Sequence, residues 1–417
     1  MDTRALEPLP MPELAPPQRR LPPRRWVREN LFSSWFNGLL SILFAAVLGW
    51  VVYTVARFVF VDARWEIIEV NLTNILIFRF PREEVWRLWV ALYVLAAVFG
   101  LGAGVAARLR REDVRDAPVS RRSPLLILRR LGPLIAIFAV FLWFAKSAEG
   151  TLLVAGAAGI WVFARAAGQR VPPHRARWAA GVVLLGVVLA YVIIVAFGGV
   201  AREDWGGLLL TVYLAVGGIV LSFPLGVLLA LGRRSSLPAV RLVCVAYIEL
   251  IRGVPLITVL FLGAFMLGFF LPPGSETPSP VTRALVALVL FTAAYVAEIV
   301  RGGLQSVPRE QTEAAQALGL SAFKTTRLIV LPQALRAVIP ALVGQFISLF
   351  KDTSLVFIIG LTELLAVAEL ITKQPEFLAE GLIVETLVFV GFVYWAGSYW
   401  MSRESQRLEQ RLGIGER

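Results

Sequence analysis

Cysteine and histidine are nearly absent from the sequence, with Cys244 and His174 as the single residue of each type. A disulfide needs two cysteines, and a structural zinc site needs several Cys or His side chains close together. The composition therefore excludes an internal disulfide framework and a zinc cluster, and we expect no Cys/His dyad and no metal site. His174 lies among arginines and is interpreted as a solvated loop residue.

The sequence also lacks an ATP-binding loop. Such a loop needs glycines ahead of a Gly-Lys-Ser/Thr end, because its backbone amides must wrap the phosphates. The nearest imitation is Phe323-Lys324-Thr325 behind Gly319, in which phenylalanine occupies the required glycine position. We therefore expect no catalytic residue and no cofactor in this chain, so that any ATP and Mg²⁺ must be bound by a partner.

Acidic residues are few as well, with 29 Asp and Glu against 41 Lys and Arg, which gives a formal net charge of +12. A basic balance can indicate nucleic-acid binding. Here, however, the arginines form short clusters between apolar segments, as the positive-inside rule for membrane proteins expects. We interpret them as orientation signals and expect membrane lipid, and no nucleic acid, as a partner.

Apolar residues are abundant, at 58% of the chain, and the mean hydropathy is +0.73. Runs of about twenty apolar residues recur, which predicts an all-α polytopic membrane protein with about ten spans. The short segments 131–146 and 150–167 are expected to form an antiparallel hairpin. An even number of spans and the arginine clusters place both termini in the cytoplasm. The predicted spans are about 35–61, 85–107, 131–146, 150–167, 178–197, 207–231, 241–271, 281–300, 334–354 and 381–400.

Composition also divides the chain into regions. Residues 1–33 are rich in proline and arginine, which predicts a disordered cytoplasmic tail and no cleavable signal peptide. Residues 34–205 form an extension of about five spans. The predicted core, 206–403, has spans interrupted by glycine, proline and charge, and a charged cytoplasmic tail, 404–417, follows. The mixed segment between the first two spans is interpreted as an amphipathic helix on the outer surface.

A loop at 304–332 separates two spans of the core and organises our interpretation of the chain. Strong helix formers from Glu313 favour a short helix, and Gly319 supplies the left-handed residue that ends it. Ser321 can cap a second short helix, and Pro332 is interpreted as the next junction. Small side chains leave a shallow surface that suits docking of another protein; the alternative is an ordinary amphipathic helix pair.

The loop reads Glu-Ala-Ala, three residues, Gly, nine residues, Ile, one residue, Leu-Pro. This spacing resembles the cytoplasmic coupling loop of permease subunits in bacterial ABC importers. The resemblance implies a type I core of five spans in the C-terminal half, located in the bacterial inner membrane. It also implies separate ABC ATPase subunits, a second permease subunit and a periplasmic amino-acid-binding protein as partners. The implied ATPase-coupling residues are Glu313, Ala314, Ala315, Gly319, Leu320, Ile329, Leu331 and Pro332.

Three further segments resemble the polar amino-acid family of these permeases. They are Glu249-Leu-Ile-Arg-Gly-Val-Pro-Leu256, Tyr295-Val-Ala-Glu-Ile-Val-Arg-Gly-Gly303 and Lys351-Asp-Thr-Ser-Leu355. The likeness covers about residues 206–403. The extra apolar region before the core resembles the longer permease subunit of general L-amino-acid importers, including those for glutamate, glutamine, aspartate and asparagine.

Ionisable groups within spans normally face protein or a water-filled path. Asp352, with the hydroxyls of Thr353 and Ser354, is a candidate for binding the substrate's charged groups, and the neighbouring Lys351 is a further candidate for the substrate path. In the alternative interpretation Lys351 pairs with Asp352 or with Glu298 and only holds helices together.

Glu298 is also a candidate for the substrate path, although Arg301, three residues on, is a natural helix partner. Glu249 and Arg252 share this spacing and are interpreted as a structural ion pair or as support for a gate. Gly253 and Pro255 are expected to break the seventh span and expose backbone groups to the path.

The sequence thus predicts a permease subunit of an ATP-driven importer of polar L-amino acids. An ion-gradient-driven secondary transporter is the alternative; it explains the spans and the buried charges but not the coupling signature. A membrane enzyme would need clustered His, Cys or carboxylates, whereas the acidic residues here are scattered among basic partners.

Overall fold

A computed structural model describes residues 22–113, 146, 148–176, 178–196, 198–378 and 381–412. Within these ranges the secondary structure is helical apart from one isolated parallel bridge between Gly207 and Glu363. The helices are α1 Pro23–Asn30, α2 Trp35–Arg57, α3 Glu66–Ile77, α4 Val85–Asp113, α5 Ala148–Gly168, α6 Pro173–Ala176, α7 Ala179–Val195, α8 Gly207–Arg233, α9 Pro238–Gly253, α10 Leu256–Phe261, α11 Pro280–Ser306, α12 Arg309–Ala317, α13 Ala322–Thr325, α14 Leu331–Asp352, α15 Leu364–Ile371 and α16 Ile383–Leu412.

The predicted spans are confirmed wherever the structure describes them. Among the described residues, eight helices are long and apolar enough to cross a membrane, and the bent pair Pro238–Gly253 and Leu256–Phe270 makes nine if it is counted as one span. The remaining predicted span, 131–146, lies outside the described residues except for Lys146. The number of spans therefore agrees with the sequence-based expectation for every segment that can be compared.

The chain divides into two compact units, Met1–Arg64 and Trp65–Arg417. In the first unit α1 begins with proline in its first turn, and Ser34 caps α2 by accepting a hydrogen bond from Asn37 N. The helix α1 corrects the expectation of a disordered tail for residues 23–30, since its amphipathic sequence forms a regular helix. Residues 1–21 lie outside the described residues, and the predicted domain boundaries at 33 and 205 stay predictions.

In the second unit, the helices of the extension pack at points where glycine removes side-chain bulk. A Cβ on Gly100 of α4 would lie 2.6 Å from the carbonyl oxygen of Trp161 on α5, and a Cβ on Gly168 would lie 3.0 Å from Cα of Gly104. Residues later in α4 contact residues later in α5, so the two helices run parallel. Arg87, at the start of α4, donates to the carbonyl of Ile193 near the end of α7 at 2.8 Å, so α7 is antiparallel to α4.

The helix α3 lies in a different place from the one its sequence suggested. It was expected on the outer surface, but Ile67, Ile68 and Ile75 are almost completely buried, in one apolar cluster with α15 and α16. At its end, Ile75 lies so close to Gly207 that a Cβ there would overlap the Ile75 carbonyl oxygen. These buried isoleucines therefore pack against protein rather than lipid, and the extension is built into the core.

The core packs around α11, and two-thirds of the most apolar stretch of this helix is buried. Small residues permit close approach: a Cβ on Gly226 of α8 would lie 2.5 Å from Val296, and one on Gly303 would lie 2.6 Å from the carbonyl oxygen of Ala334 on α14. The helix α8, which contains Pro224, packs against protein along a buried face that includes Ser222 and Gly226.

The bundle has two ends, which we name by their contents. The loop end carries α12, α13 and Arg233, whereas the far end carries α3, α15 and the start of α8 at Gly207.

Candidate functional site

The loop between α11 and α14 forms the helix, turn and helix that its sequence predicts. The helix α12 ends at Gly319, with φ +79°, and the amide of Leu320 donates to the Ala315 carbonyl at 3.1 Å. The Gly319 amide donates to the Gln316 carbonyl at 2.9 Å. This pair of bonds is the Schellman motif, which satisfies the last carbonyls of a helix and needs a left-handed residue. The role of Gly319 in the turn is therefore confirmed.

The second part of the loop differs from the expected short helix. Ser321 does cap α13, accepting from Lys324 N at 3.4 Å, but the helix continues through a π turn, Thr326–Val330, into α14. Pro332 lies in the first turn of α14 and interrupts nothing. The expected junction at Pro332 is wrong, because proline is tolerated in a first helical turn and the wider π turn precedes it.

The loop exposes apolar side chains around its turn. Leu318 is 83% exposed and Phe323 is 72% exposed, whereas Ala315 is buried against the loop's own helices. Among the implied coupling residues, Glu313, Ala314, Gly319 and Pro332 are exposed, and Leu320, Ile329 and Leu331 are half-buried. The loop thus presents two large apolar side chains, Leu318 and Phe323, that the described part of the chain leaves uncovered.

The span after α8 is broken where Gly253 and Pro255 predicted. Gly253 ends α9, Pro255 caps α10, and the two helices meet at an angle of 109°. Because proline lacks an amide hydrogen and fixes its own φ, the chain extends for two residues before the helix resumes. Arg252, in the last turn of α9, is thereby held beside the break, with its guanidinium 5.7 Å from the ring centre of Tyr295.

Beside this break, five charged side chains of α8, α9 and α11 meet in what we call the arginine cluster. Its members are Arg233, Glu249, Arg252, Glu298 and Arg301. Glu298, 23% exposed, accepts from Arg301 Nε at 2.9 Å, while one terminal nitrogen each of Arg233 and Arg252 lies 3.5 Å from its Oε2. Positively and negatively charged side chains thus lie in contact near the loop end of the bundle.

The pairing inside the arginine cluster agrees only in part with the sequence-based expectation. The predicted contact between Glu298 and Arg301 is present. Glu249, however, pairs with Arg233 at 2.9 Å rather than with Arg252, and Arg252 faces Glu298. The reason is tertiary: the end of α8 lies beside α9, and a neighbouring helix supplies a closer partner than the same helix does. Arg233 was missed, since nothing in its local sequence separates it from other span-terminal arginines.

The candidate substrate residues after α14 lie at a change of helix type. Lys351 and Asp352 end α14, and a 3-10 helix, Thr353–Ile359, follows. Asp352 and Ser354 are half-buried, whereas Thr353 is fully buried and donates from its hydroxyl to the Phe350 carbonyl at 2.7 Å. Lys351 is exposed and forms no ion pair with any described residue, so the alternative pairing with Glu298 does not occur here. Asp352 and Ser354 are half-buried, so part of each side chain is accessible to a substrate path.

At the far end, a buried carboxylate was missed by the sequence analysis. Glu363 caps α15, accepting from the amides of Leu365 and Ala366 at 2.8 Å each and from the Tyr394 hydroxyl at 3.0 Å. It is fully buried, and this desolvation raises the pKa of Glu363 to about 7 despite the hydrogen bonds, which favour the charged form. No local signal marks this residue, because glutamate is not among the preferred N-cap residues and its burial depends on distant residues.

Known proteins match this chain along most of its length. The family described as binding-protein-dependent transport system inner membrane component matches residues 222–413. The inner membrane amino-acid ABC transporter permease protein YhdY of Escherichia coli (strain K12) is 38% identical over 394 residues, which cover 94% of this chain and 93% of that protein.

Two further relatives differ in length. The glutamate/glutamine/aspartate/asparagine transport system permease protein BztC of Rhodobacter capsulatus is 32% identical over 414 residues, covering 93% of each chain. The probable glutamine ABC transporter permease protein GlnP of Bacillus subtilis is 37% identical over 209 residues, covering 50% of this chain and 92% of its own. Some relatives thus share nearly the whole length, and others match only half of it.

Proposed function

The chain belongs to the amino-acid ABC transporter permeases, and we propose that it carries polar L-amino acids across the bacterial inner membrane as one permease subunit of an ATP-driven importer. Membership of this family favours an ATP-driven importer over the ion-gradient alternative. The amino acids in the printed name of BztC, glutamate, glutamine, aspartate and asparagine, are the proposed substrates.

The observation that carries the proposal is the uncovered apolar surface of the coupling loop. Leu318 and Phe323 flank a turn fixed by Gly319, which is the arrangement expected where another protein binds. A separate ABC ATPase, which binds ATP and Mg²⁺, would seat on this surface. The proposed assembly also includes a second permease subunit and a periplasmic amino-acid-binding protein, with the loop and both termini in the cytoplasm.

The proposed mechanism is alternating access. Closure of two ATPase subunits around ATP moves the two coupling loops, and the attached spans open the path outward. Asp352, Ser354 and Glu298 are proposed to line this path, where an amino acid's ammonium needs a carboxylate. Thr353, whose hydroxyl donates to the Phe350 carbonyl, is proposed to support the turn, and Lys351, which is exposed, remains a candidate for the path.

Reconstitution tests this proposal. The chain is placed in lipid vesicles with its candidate ATPase, second permease and amino-acid-binding protein, and ATP hydrolysis and uptake of labelled L-glutamine are measured. We expect both to depend on the binding protein and on glutamine. Uptake driven by an ion gradient without ATP would overturn the proposal.

A matched pair of variants locates the ATPase contact. Phe323→Ala removes an exposed ring from the coupling loop, and Phe269→Ala removes a ring that is 84% exposed outside the loop. Truncating a buried aromatic anchor of an interface costs roughly 2–4 kcal/mol. We therefore expect Phe323→Ala to reduce co-purification of the ATPase and Phe269→Ala to leave it unchanged. Equal behaviour of the two variants would contradict docking on the loop.

A further inference from the structure

We propose that Arg252 binds the α-carboxylate of the transported amino acid. This inference rests on the proposed function and adds to it a residue that the sequence favoured only for structure or gating. It depends on how the three arginines of the arginine cluster are occupied, and on where Arg252 lies in the broken span.

The three guanidinium groups of the arginine cluster are not equally engaged. Arg301 donates to Glu298 at 2.9 Å and to the Gln305 side chain at 2.7 Å, and Arg233 donates to Glu249 at 2.9 Å. Arg252 donates no hydrogen bond to any described residue. Its nearest carboxylate oxygen, Glu298 Oε2, is 3.5 Å away, and its buried Nε has no partner among the described residues. Arg252 is therefore the member that can take a new anion without breaking an existing bond.

The charge balance of the arginine cluster points to the same kind of ligand. Three arginines face two carboxylates, so the cluster has one uncompensated positive charge. A partly buried donor without a partner lowers stability, and a guanidinium is best satisfied by a carboxylate that accepts two parallel hydrogen bonds. A carboxylate bound to the exposed terminal nitrogens of Arg252 would accept their hydrogen bonds and neutralise the excess charge at once.

The position of Arg252 makes it available to a substrate. Its side chain is 33% exposed, beside the extended residues between α9 and α10, and the Tyr295 ring lies against its guanidinium. Glu298, a proposed path residue, lies directly opposite. Every α-amino acid has the same α-carboxylate and ammonium, so Arg252 and Glu298 would serve all substrates equally. Discrimination among side chains would then depend on other residues.

Direct binding tests the inference, because the affinity of the separate binding protein would dominate an uptake measurement. Labelled L-glutamine is titrated onto the purified permease and ATPase complex without the binding protein. Glutaramate and 4-aminobutanamide, which lack the ammonium and the α-carboxylate respectively, serve as competitors. Arg252→Gln is compared with Arg252→Lys, which keeps the charge but loses the planar donor, and with Arg241→Gln, an exposed arginine of α9 outside the cluster.

We expect Arg252→Gln to raise the Kd for glutamine at least about tenfold and Arg252→Lys to raise it less, because a hydrogen bond to a charged group is lost. Arg241→Gln should bind like the unaltered complex. The inhibition constant of 4-aminobutanamide should be the same for the Arg252→Gln and unaltered complexes, because this competitor has no α-carboxylate for Arg252 to bind. A purely structural Arg252 would change complex yield or thermal stability and leave the Kd of the folded complex unchanged, and that result would overturn the inference.

Failure of the proposed function gives a different pattern. If the unaltered complex imports glutamine but binds none without the binding protein, the proposed function stands and the Arg252 site is wrong. If the unaltered complex neither imports nor binds amino acids, the proposed function itself fails.

Discussion

The two ends of the core bundle are stabilised in different ways. At the loop end, partly exposed ion pairs join α8, α9 and α11, and the coupling loop leaves apolar side chains uncovered. At the far end, α3, α15 and α16 share a closed apolar cluster around the hydrogen-bonded Glu363. Partly exposed ion pairs contribute roughly 0–1 kcal/mol each and can be exchanged at little cost, whereas buried apolar contacts cannot. The loop end is thus suited to change partners, and the far end to stay closed.

The largest effect should come from Gly319→Val at the loop end. Valine in a left-handed conformation costs about 1–3 kcal/mol, so the Schellman turn should be lost and the loop displaced. We expect uptake to fall below about a tenth of normal while ATP hydrolysis continues without coupling, in protein that inserts normally. Vesicle uptake and ATPase assays measure both activities.

The matched control uses the same position. Asparagine adopts the left-handed region more readily than other non-glycine residues, so Gly319→Asn should keep most of the uptake. If Gly319→Val transports normally, the assigned turn does not matter for coupling.

A second, smaller effect is expected for Asp352→Asn, at the last residue of α14. The change removes a charge but keeps the shape, so membrane insertion should be normal. If the side chain faces substrate, uptake should fall about tenfold, since a charged hydrogen bond is worth roughly 1.5–3 kcal/mol. Initial uptake rates, normalised to the amount of inserted protein, make the comparison. Unchanged uptake would return Asp352 to a structural role.

At the far end, Asn71→Leu should lower stability rather than transport. Asn71 is buried on α3 and exchanges two amide hydrogen bonds with Gln374, at 3.1 and 2.9 Å. Removing one partner leaves the other amide unsatisfied and should cost about 1–3 kcal/mol. The melting temperature of the purified complex measures the loss.

The double variant Asn71→Leu with Gln374→Leu is the control for this pair. It should recover part of the lost stability, because Gln374 no longer leaves an unsatisfied amide, whereas Asn74, which donates to Asn71 Oδ1 at 3.0 Å, still loses its acceptor. Strictly additive losses would show that the two side chains do not depend on each other.

The smallest expected effect is the pH dependence of stability contributed by Glu363. Its pKa in the folded chain, about 7, lies above the ordinary glutamate value, so the folded state holds the proton more tightly than the unfolded state. The contribution is therefore complete at acid pH, decreases as the pH rises above the ordinary glutamate value, and is lost above about 7. Glu363→Gln should make the melting temperature less dependent on pH between 5 and 8. An unchanged slope would assign the pH dependence to other groups.

The sequence was sufficient where the relevant interactions are local. The Gly319 turn and the pair Glu298 and Arg301 depend on residues within one or two helical turns, and the spans depend on continuous apolar runs. The burial of α3 could not be predicted, because an amphipathic helix has the same pattern whether its apolar side meets lipid or α15. The partner of Glu249 was missed for the same reason, since Arg233 approaches only after α8 and α9 have packed.

The helix that leaves the coupling loop is unbroken from Ala322 through α14 and the turn after Asp352, 38 residues in all. At 1.5 Å per residue, the stretch from Ala322 to Asp352 is about 45 Å long. It contains Pro332 in the first turn of α14 and Pro340 in the interior of α14, where proline removes one helical hydrogen bond. A tilt of a few degrees imposed on the loop by an ATPase would therefore shift Asp352 by several ångströms. One continuous helix of this chain would therefore connect the proposed ATPase contact with the proposed substrate path.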